Sequence, residues 1–411
     1  MLTPVSTTRV ATNILRVLTV ALGLALVPVP AVAQGADSNA DAQIHLGPLD
    51  LRPVLSWRTT HEDNVFRSSE HRVSDLVSTL GATTDVRGQL RRVGLSASGA
   101  ADWVHFSNLI SERGANLGAA LRLDFLFNRV VPYVSSSYRN SRQRVNPEID
   151  IRPRIKQSVV AAGGVFHVGD KTAVDISAGR AIEGYARDAT VDGVNLGTAL
   201  NRASDHVTLS FLQEVTPLTR LTVAGEMQRD RFNVSQRRSA DSILLTTGFE
   251  SSGRINGSAR AGVRILTPND RSLPKFRAFF VSLGTSVTVL DRVRIGLDAE
   301  RDLAPSYRQS VAYYESFNYR ASLTYAMGAS LRLSAEVGQR FADYRASAGA
   351  VTLAADQGGV DKETRYGSGI SCQVGESVGI VFSGTYTERT SISVLRRFDG
   401  LSLSAGVNYA F

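Results

Sequence analysis

Cysteine is almost absent: Cys372 is the only one in 411 residues, which excludes an internal disulfide framework. Histidine is scarce as well. The six, at positions 45, 61, 71, 105, 167 and 206, form no H-x-x-x-H pair and lie far from the lone thiol, so no metal site and no cofactor are expected. No G-x-S-x-G or comparable nucleophile setting surrounds any of them. They read as polar rim or interface residues, and although carboxylates are plentiful nothing singles out a catalytic pair. A non-enzymatic role is therefore expected. Long apolar runs are missing once Ala33 is passed, with no later stretch near the ~18 consecutive residues of a membrane helix. Beyond that point the chain must be soluble or cross a membrane as strands.

What the sequence does contain begins with an export signal. Arg9 and Arg16 precede a short apolar run, Val17 to Val29, that ends at Ala31-Val32-Ala33. This order predicts a secretory signal over residues 1–33, cut before Gln34. A membrane anchor is the alternative, but the run is broken by Pro28 and Pro30 and falls short of about 20 residues. The net charge is +8; losing the two signal arginines leaves about +6. Outside the cytoplasm such a balance meets lipopolysaccharide phosphates or anionic polysaccharide, not nucleic acid. Residues 34–50 are small, polar and acidic before a hydrophobic end, and read as a short periplasmic segment ahead of a domain spanning 51–411.

That domain alternates runs of period-2 hydrophobicity with connections of two kinds. Short turns are expected at Arg87-Gly88-Gln89, Phe127-Asn128-Arg129, Gly169-Asp170-Lys171, Thr216-Pro217-Leu218, Ser252-Gly253-Arg254, Leu290-Asp291-Arg292, Met327-Gly328-Ala329 and Gly375-Glu376-Ser377. Longer, charged loops are expected at 63–74, 107–113, 140–156, 187–204, 232–240, 267–274, 303–312, 344–363 and 388–398. Strands then start near 51, 76, 91, 115, 130, 157, 172, 205, 220, 241, 254, 276, 292, 314, 330, 364, 377 and 399. The fold class is all-β: a transmembrane, antiparallel, up-and-down barrel of about 18 strands in the outer membrane, with sixteen as the alternative count.

The faces carry the functional expectation. Ile255, Ala259, Val263 and Ile265 oppose Arg254, Arg260 and Arg264; Val293, Ile295 and Leu297 oppose Arg292, Arg294, Asp298 and Glu300; Leu331, Leu333 and Val337 oppose Arg332, Glu336 and Arg340. Arg320 belongs with the charged set. An arginine facing lipid at the midplane costs about 2–4 kcal/mol, so this side should line a lumen. A soluble β-sandwich, burying the aliphatic side instead, is the competing arrangement. The lumen charges either pair across neighbouring strands and stiffen the wall, or act on hydroxyl-rich or carboxylated solutes. Two aromatic girdles are expected: Phe125, Phe127, Phe249, Tyr325, Tyr409 and Phe411 beside the short turns, and Trp103, Phe106, Phe232, Phe341, Tyr344 and Tyr386 towards the long loops.

The final stretch, Leu401 to Phe411, alternates apolar with small or polar residues and ends on an aromatic. It resembles the closing strand of bacterial outer-membrane barrels, in which residues placed like Tyr409 and Phe411 are read by the barrel-assembly machinery. The opening segment, RPVLSWRTTHEDNVFRSSEHRVSDLVSTLGATTDVRG, carries Glu62, Asp63, Asn64, Val65, Phe66 and Arg67 followed by Ser74-Asp75. It resembles the amino-terminal pattern of the putative β-barrel porin 2 family over about residues 52–108. The resemblance implies an outer-membrane porin serving exopolysaccharide or capsular polysaccharide secretion beside a periplasmic polysaccharide-export protein. A diffusion porin for small solutes is the chief alternative, ahead of a barrel hydrolase or an adhesin. An uninterrupted lumen would favour export; a long loop folded inward would favour a selective porin.

Overall fold

The computed structural model describes residues 44–144, 146–308, 311–344 and 359–411. The signal over 1–33 and most of the 34–50 segment lie outside the described residues. Eighteen long strands form the wall. They are β1 Leu49–Glu62, β2 Asp75–Leu90, β3 Val93–Phe106, β4 Gly114–Phe125, β5 Val130–Arg142 and β6 Arg154–His167. Next come β7 Thr172–Tyr185, β8 Arg202–Thr216, β9 Thr219–Phe232, β10 Ala240–Ser252, β11 Ile255–Pro268 and β12 Phe276–Val289. The last six are β13 Val293–Pro305, β14 Tyr313–Met327, β15 Leu331–Asp343, β16 Val360–Val374, β17 Val378–Thr390 and β18 Phe398–Ala410. Every start falls within four residues of its expected position.

Each strand pairs antiparallel with the next, and β18 returns to β1 in the register Val54↔Ala410 to Glu62↔Ser402. The closed ring leaves no edge, as hydrocarbon requires of any sheet that spans it. Pro53 sits where its missing N–H does no harm, and its carbonyl accepts the Phe411 N–H at 3.3 Å. A short strand, Ile44–Leu46, folds back on Leu49–Leu51 through a turn at Gly47, so β1 begins two residues before the expected boundary.

One expected turn is displaced. The chain does not reverse at Arg87-Gly88-Gln89; β2 runs on to Leu90 and the turn falls at Arg91-Arg92, with Arg91 at φ 54°. Gly88 marks a close approach instead, since a Cβ there would stand 2.4 Å from the Pro48 carbonyl oxygen.

The aliphatic side faces outward. Trp57, Leu80 and Trp103 stand in one cross-strand row and are 57%, 61% and 53% exposed. A continuous apolar surface of this kind suits lipid and not water, which removes the sandwich arrangement. The polar side is concave. Arg264 on β11 reaches Asp302 on β13 at 2.7 Å and Glu226 on β9 at 3.9 Å, and side chains two strands apart converge only on the inside of a curve. The loop-side girdle is smaller than expected: Phe106, Phe232 and Tyr344 are buried inside the wall and mouth, because their parity places them on the concave face. Trp103, Phe341 and Tyr386 keep the outward face.

The concave face also explains Gly163 on β6. The Tyr133 ring from β5 lies over it, and the Tyr133 hydroxyl donates to Asp175 on β7 at 3.2 Å. A Cβ at Gly163 would meet the Ile176 carbonyl oxygen at 2.6 Å and the Tyr133 ring at 2.7 Å. Gly163→Val should therefore displace the ring, sever that bond and destabilise the wall by about 1–3 kcal/mol. Gly99→Val, where a Cβ meets only Thr84 at 3.6 Å, should be close to neutral. The temperature at which folded and unfolded bands interconvert on a gel checks both.

Candidate functional site

The short turns gather at one end of the ring and the long loops at the other. Among the long loops, the β5–β6 connection, 143–153, crosses the mouth. Asn146 shapes it: its side-chain oxygen accepts the N–H groups of Glu148 and Ile149, both at 3.0 Å, making a local turn that projects Glu148 forward. Glu148 is fully buried. Its carboxylate accepts the Ser306 hydroxyl and the Tyr307 N–H, the latter at 3.1 Å, with the Arg308 guanidinium at 3.7 Å. Ser306 to Arg308 belong to the β13–β14 loop. Eight strands, β6 to β13, separate the two connections on one side and ten on the other, so the loop spans close to a diameter.

Arginines from a third direction hold the same loop. Arg389 on β17 donates to the Pro147 carbonyl at 2.7 Å and also pairs with Asp150. Arg396, between β17 and β18, donates to the Glu148 and Pro147 carbonyls at 3.0 and 3.2 Å and to Asp361 at 2.8 Å. Arg144 ties the root of the loop to the Val65 carbonyl of the β1–β2 connection. Charge-assisted bonds to carbonyls in a dry setting are among the stronger ones a fold can make.

A second layer is apolar. The β7–β8 connection carries a strand pair, Thr190–Val191 with Val194–Asn195, and a one-turn helix, α1, Leu196–Leu200. The Asn195 side chain caps that helix by accepting the Thr198 N–H at 3.0 Å. Leu196, Leu200, Ile149, Tyr185, Phe232 and Tyr307 bury one another, each such side chain contributing about 1.5–3 kcal/mol when fully desolvated. The Tyr307 hydroxyl donates to Asp192 at 2.6 Å. Arg238, from the β9–β10 loop, donates to the carbonyls of Ser306, Tyr307 and Arg308 at 2.6, 3.1 and 2.7 Å. Four connections are thereby knitted into one bridge over the opening.

Beneath it lie the residues expected from the sequence. Arg260, Arg264, Arg294, Asp298, Glu300, Arg320, Arg332, Glu336 and Arg340 are all strand residues of the polar face. Arg254 and Arg292 are not: both sit in turns below the wall, because β11 and β13 start one residue later, at Ile255 and Val293. Many of the charges pair laterally. Asp298 and Arg320 stand opposite each other at 2.9 Å, Arg320 approaches Glu336 at 3.9 Å, and Glu336 takes Arg365 at 3.2 Å. One register row runs Glu300, Asn318, Arg340, Glu363, Arg389, joining the lumen charges to the arginine that anchors the bridge. Across the β18–β1 seam hydroxyls also meet, Thr60 and Ser404 standing 2.9 Å apart. Tyr409 and Phe411 lie at the turn end of that seam with their rings edge to face at 4.8 Å.

Sequence reasoning missed Glu148, Arg238, Arg389 and Arg396. Asn146-Pro147-Glu148 was legible as a turn, but nothing local says that its partners lie 158 or 248 residues away.

Burial lifts the Glu148 carboxyl above the usual carboxylate range, against the pull of the Ser306 hydroxyl, Arg308 and the Tyr307 N–H. Docking of the bridge therefore takes up a proton. Its contribution is fully present below the pKa of an exposed glutamate, about 4.3, and is lost as pH rises through the raised value. Glu148→Gln should flatten this pH dependence of channel closure in single-channel recordings. Glu148→Ala leaves the Ser306 hydroxyl and the Tyr307 N–H without their acceptor and should weaken docking by about 1–3 kcal/mol. Faster protease cleavage within 143–153, with the barrel intact, is the expected readout.

Comparison with known proteins fits this geometry. No curated protein matches the sequence. The fold is similar to that of OccAB4 from Acinetobacter baumannii, at 10% identity, covering 89% of this chain and 98% of the other with a TM-score of 0.50. It is equally similar to a BenF-like porin from Pseudomonas fluorescens Pf-5, at 12% identity over 89% and 100% of the two chains, again with a TM-score of 0.50. The family model described as "Putative beta-barrel porin 2" matches residues 42–411. With a closed eighteen-strand wall, an apolar exterior and a charged interior over that whole span, the chain belongs to this family of outer-membrane porins.

Proposed function

We propose that the protein is a diffusion pore for small polar solutes whose opening on the long-loop side is narrowed by the 143–153 bridge. The observation that carries this reading is the docking of Glu148 against Ser306 and Tyr307 from across the ring. A polymer conduit needs a bore that stays clear along its length. A backbone segment held by Arg389, Arg396 and a buried apolar layer is costly to displace at each passage. Small solutes need only the gaps beside it. The family resemblance supports the competing reading, polysaccharide secretion, which requires the bridge to swing clear.

Paired charges on the lumen wall suit ions and hydroxylated molecules, which exchange water for wall groups without a large desolvation cost. Reconstituted protein should therefore conduct small ions and admit small sugars or organic acids in liposome-swelling assays while excluding long polysaccharide. Deleting residues 146–150 should raise single-channel conductance. Passage of polysaccharide through the intact protein, or unchanged conductance after the deletion, would overturn the proposal. Replacing both Arg320 and Arg365 with alanine leaves Asp298 and Glu336 uncompensated, so the reversal potential in a salt gradient should move towards cation preference.

A further inference from the structure

The outer face of the wall carries a site that transport does not use. Near the long-loop end, a cavity of about 390 Å³ is lined by Arg301, Glu315, Phe317, Phe341, Asp343 and Val360. All six have the outward parity. Cross-strand pairing sets Arg301, Phe317, Phe341 and Lys362 side by side on β13 to β16, a row spanning about 14 Å at the usual strand spacing. A cation stands at each end and two aromatic rings lie between. The rings are stacked, 6.0 Å apart at 18°, and Tyr319 extends the same surface from the row below.

Charges at this depth would be costly against acyl chains alone, whereas near the interface the cost falls to about 0–1 kcal/mol. The row therefore lies level with the head groups of the outer leaflet. Arg301 is held by Glu315. Lys362, by contrast, pairs with no carboxylate among the described residues; its ammonium stands 6.0 Å from the Phe341 ring. Other outward charges pair directly, as Arg180 does with Asp205 at 2.9 Å and Arg231 with Asp241 at 2.7 Å. What complements this site is a group with an apolar ring face for the aromatic ledge and an anion for Lys362.

We infer that this recess binds the phosphorylated sugar head group of one glycolipid of the outer leaflet, with a phosphate on Lys362 and a sugar ring against Phe317 and Phe341. A glycerol phospholipid offers the phosphate without the ring, and a dephosphorylated glycolipid the ring without the phosphate. The site thus reads both features together.

Native mass spectrometry of the folded protein in detergent, titrated with lipid A, dephosphorylated lipid A or phosphatidylglycerol, separates these ligands. One lipid A should remain bound through detergent stripping. Removing its phosphates, or Lys362→Ala, should weaken retention about tenfold, and Phe341→Leu should weaken it too. Lys156→Ala, at an exposed outward lysine on β6, should leave it unchanged. Equal retention of phosphatidylglycerol, or a Lys362→Ala effect no larger than that of Lys156→Ala, would overturn the assignment. Conductance should be indifferent to all three variants, so the outcome is separable from the transport reading.

Discussion

Hydrocarbon offers the peptide backbone no hydrogen-bonding partner but itself, and each group left unpaired there costs several kcal/mol. That constraint determines the rest of this structure. It forces the sheet to close on itself, Val54 to Ala410 and onward to Glu62 with Ser402. Closure creates a convex side, which must satisfy lipid, and a concave one, where long polar side chains from alternate strands come within reach of each other. The clusters around Arg264 and Arg320 follow from curvature as much as from charge.

The bridge across the mouth is built on the same logic, one level up. Its anchors are not independent of the wall: Asp361, Glu363 and Arg389 are inward residues at the loop ends of β16 and β17, and Arg67 from the first long loop pairs with Glu363 at 2.9 Å. Wall charges that would otherwise meet water are used to seat a loop. The apolar layer under α1 then removes that seat from water, which is why Glu148 is both well bonded and displaced in its proton affinity.

Much of the wall was legible because its information is local. Period-2 alternation, Gly, Asn and Pro turns and the contrast of short with long connections need only a window of about ten residues. They placed each strand start within four residues and grouped Asp298, Arg320 and Glu336, which the structure brings side by side. Errors arose where local signals have two causes. Gly88 looks like a turn residue and is a contact residue; Phe106 and Phe232 look like girdle aromatics but fall on the other parity. The bridge was illegible for a different reason, since Pro147 meets Arg389 and Arg396 through contacts 242 and 249 residues apart in sequence, and a single sequence holds no trace of such meetings.

The seam has a kinetic meaning. Seventeen of the wall's pairings join strands adjacent in the chain and can form hairpin by hairpin, whereas the β1–β18 pairing links positions such as Thr60 and Ser404, 344 residues distant, and must come last on loop-closure grounds. The anchors of the crossing loop come from the β1–β2, β13–β14 and β17–β18 connections and from β17, and reach their mutual positions only when the ring is complete. An unfinished barrel therefore stays unobstructed, and the narrowing of its bore is a late event in the life of the chain.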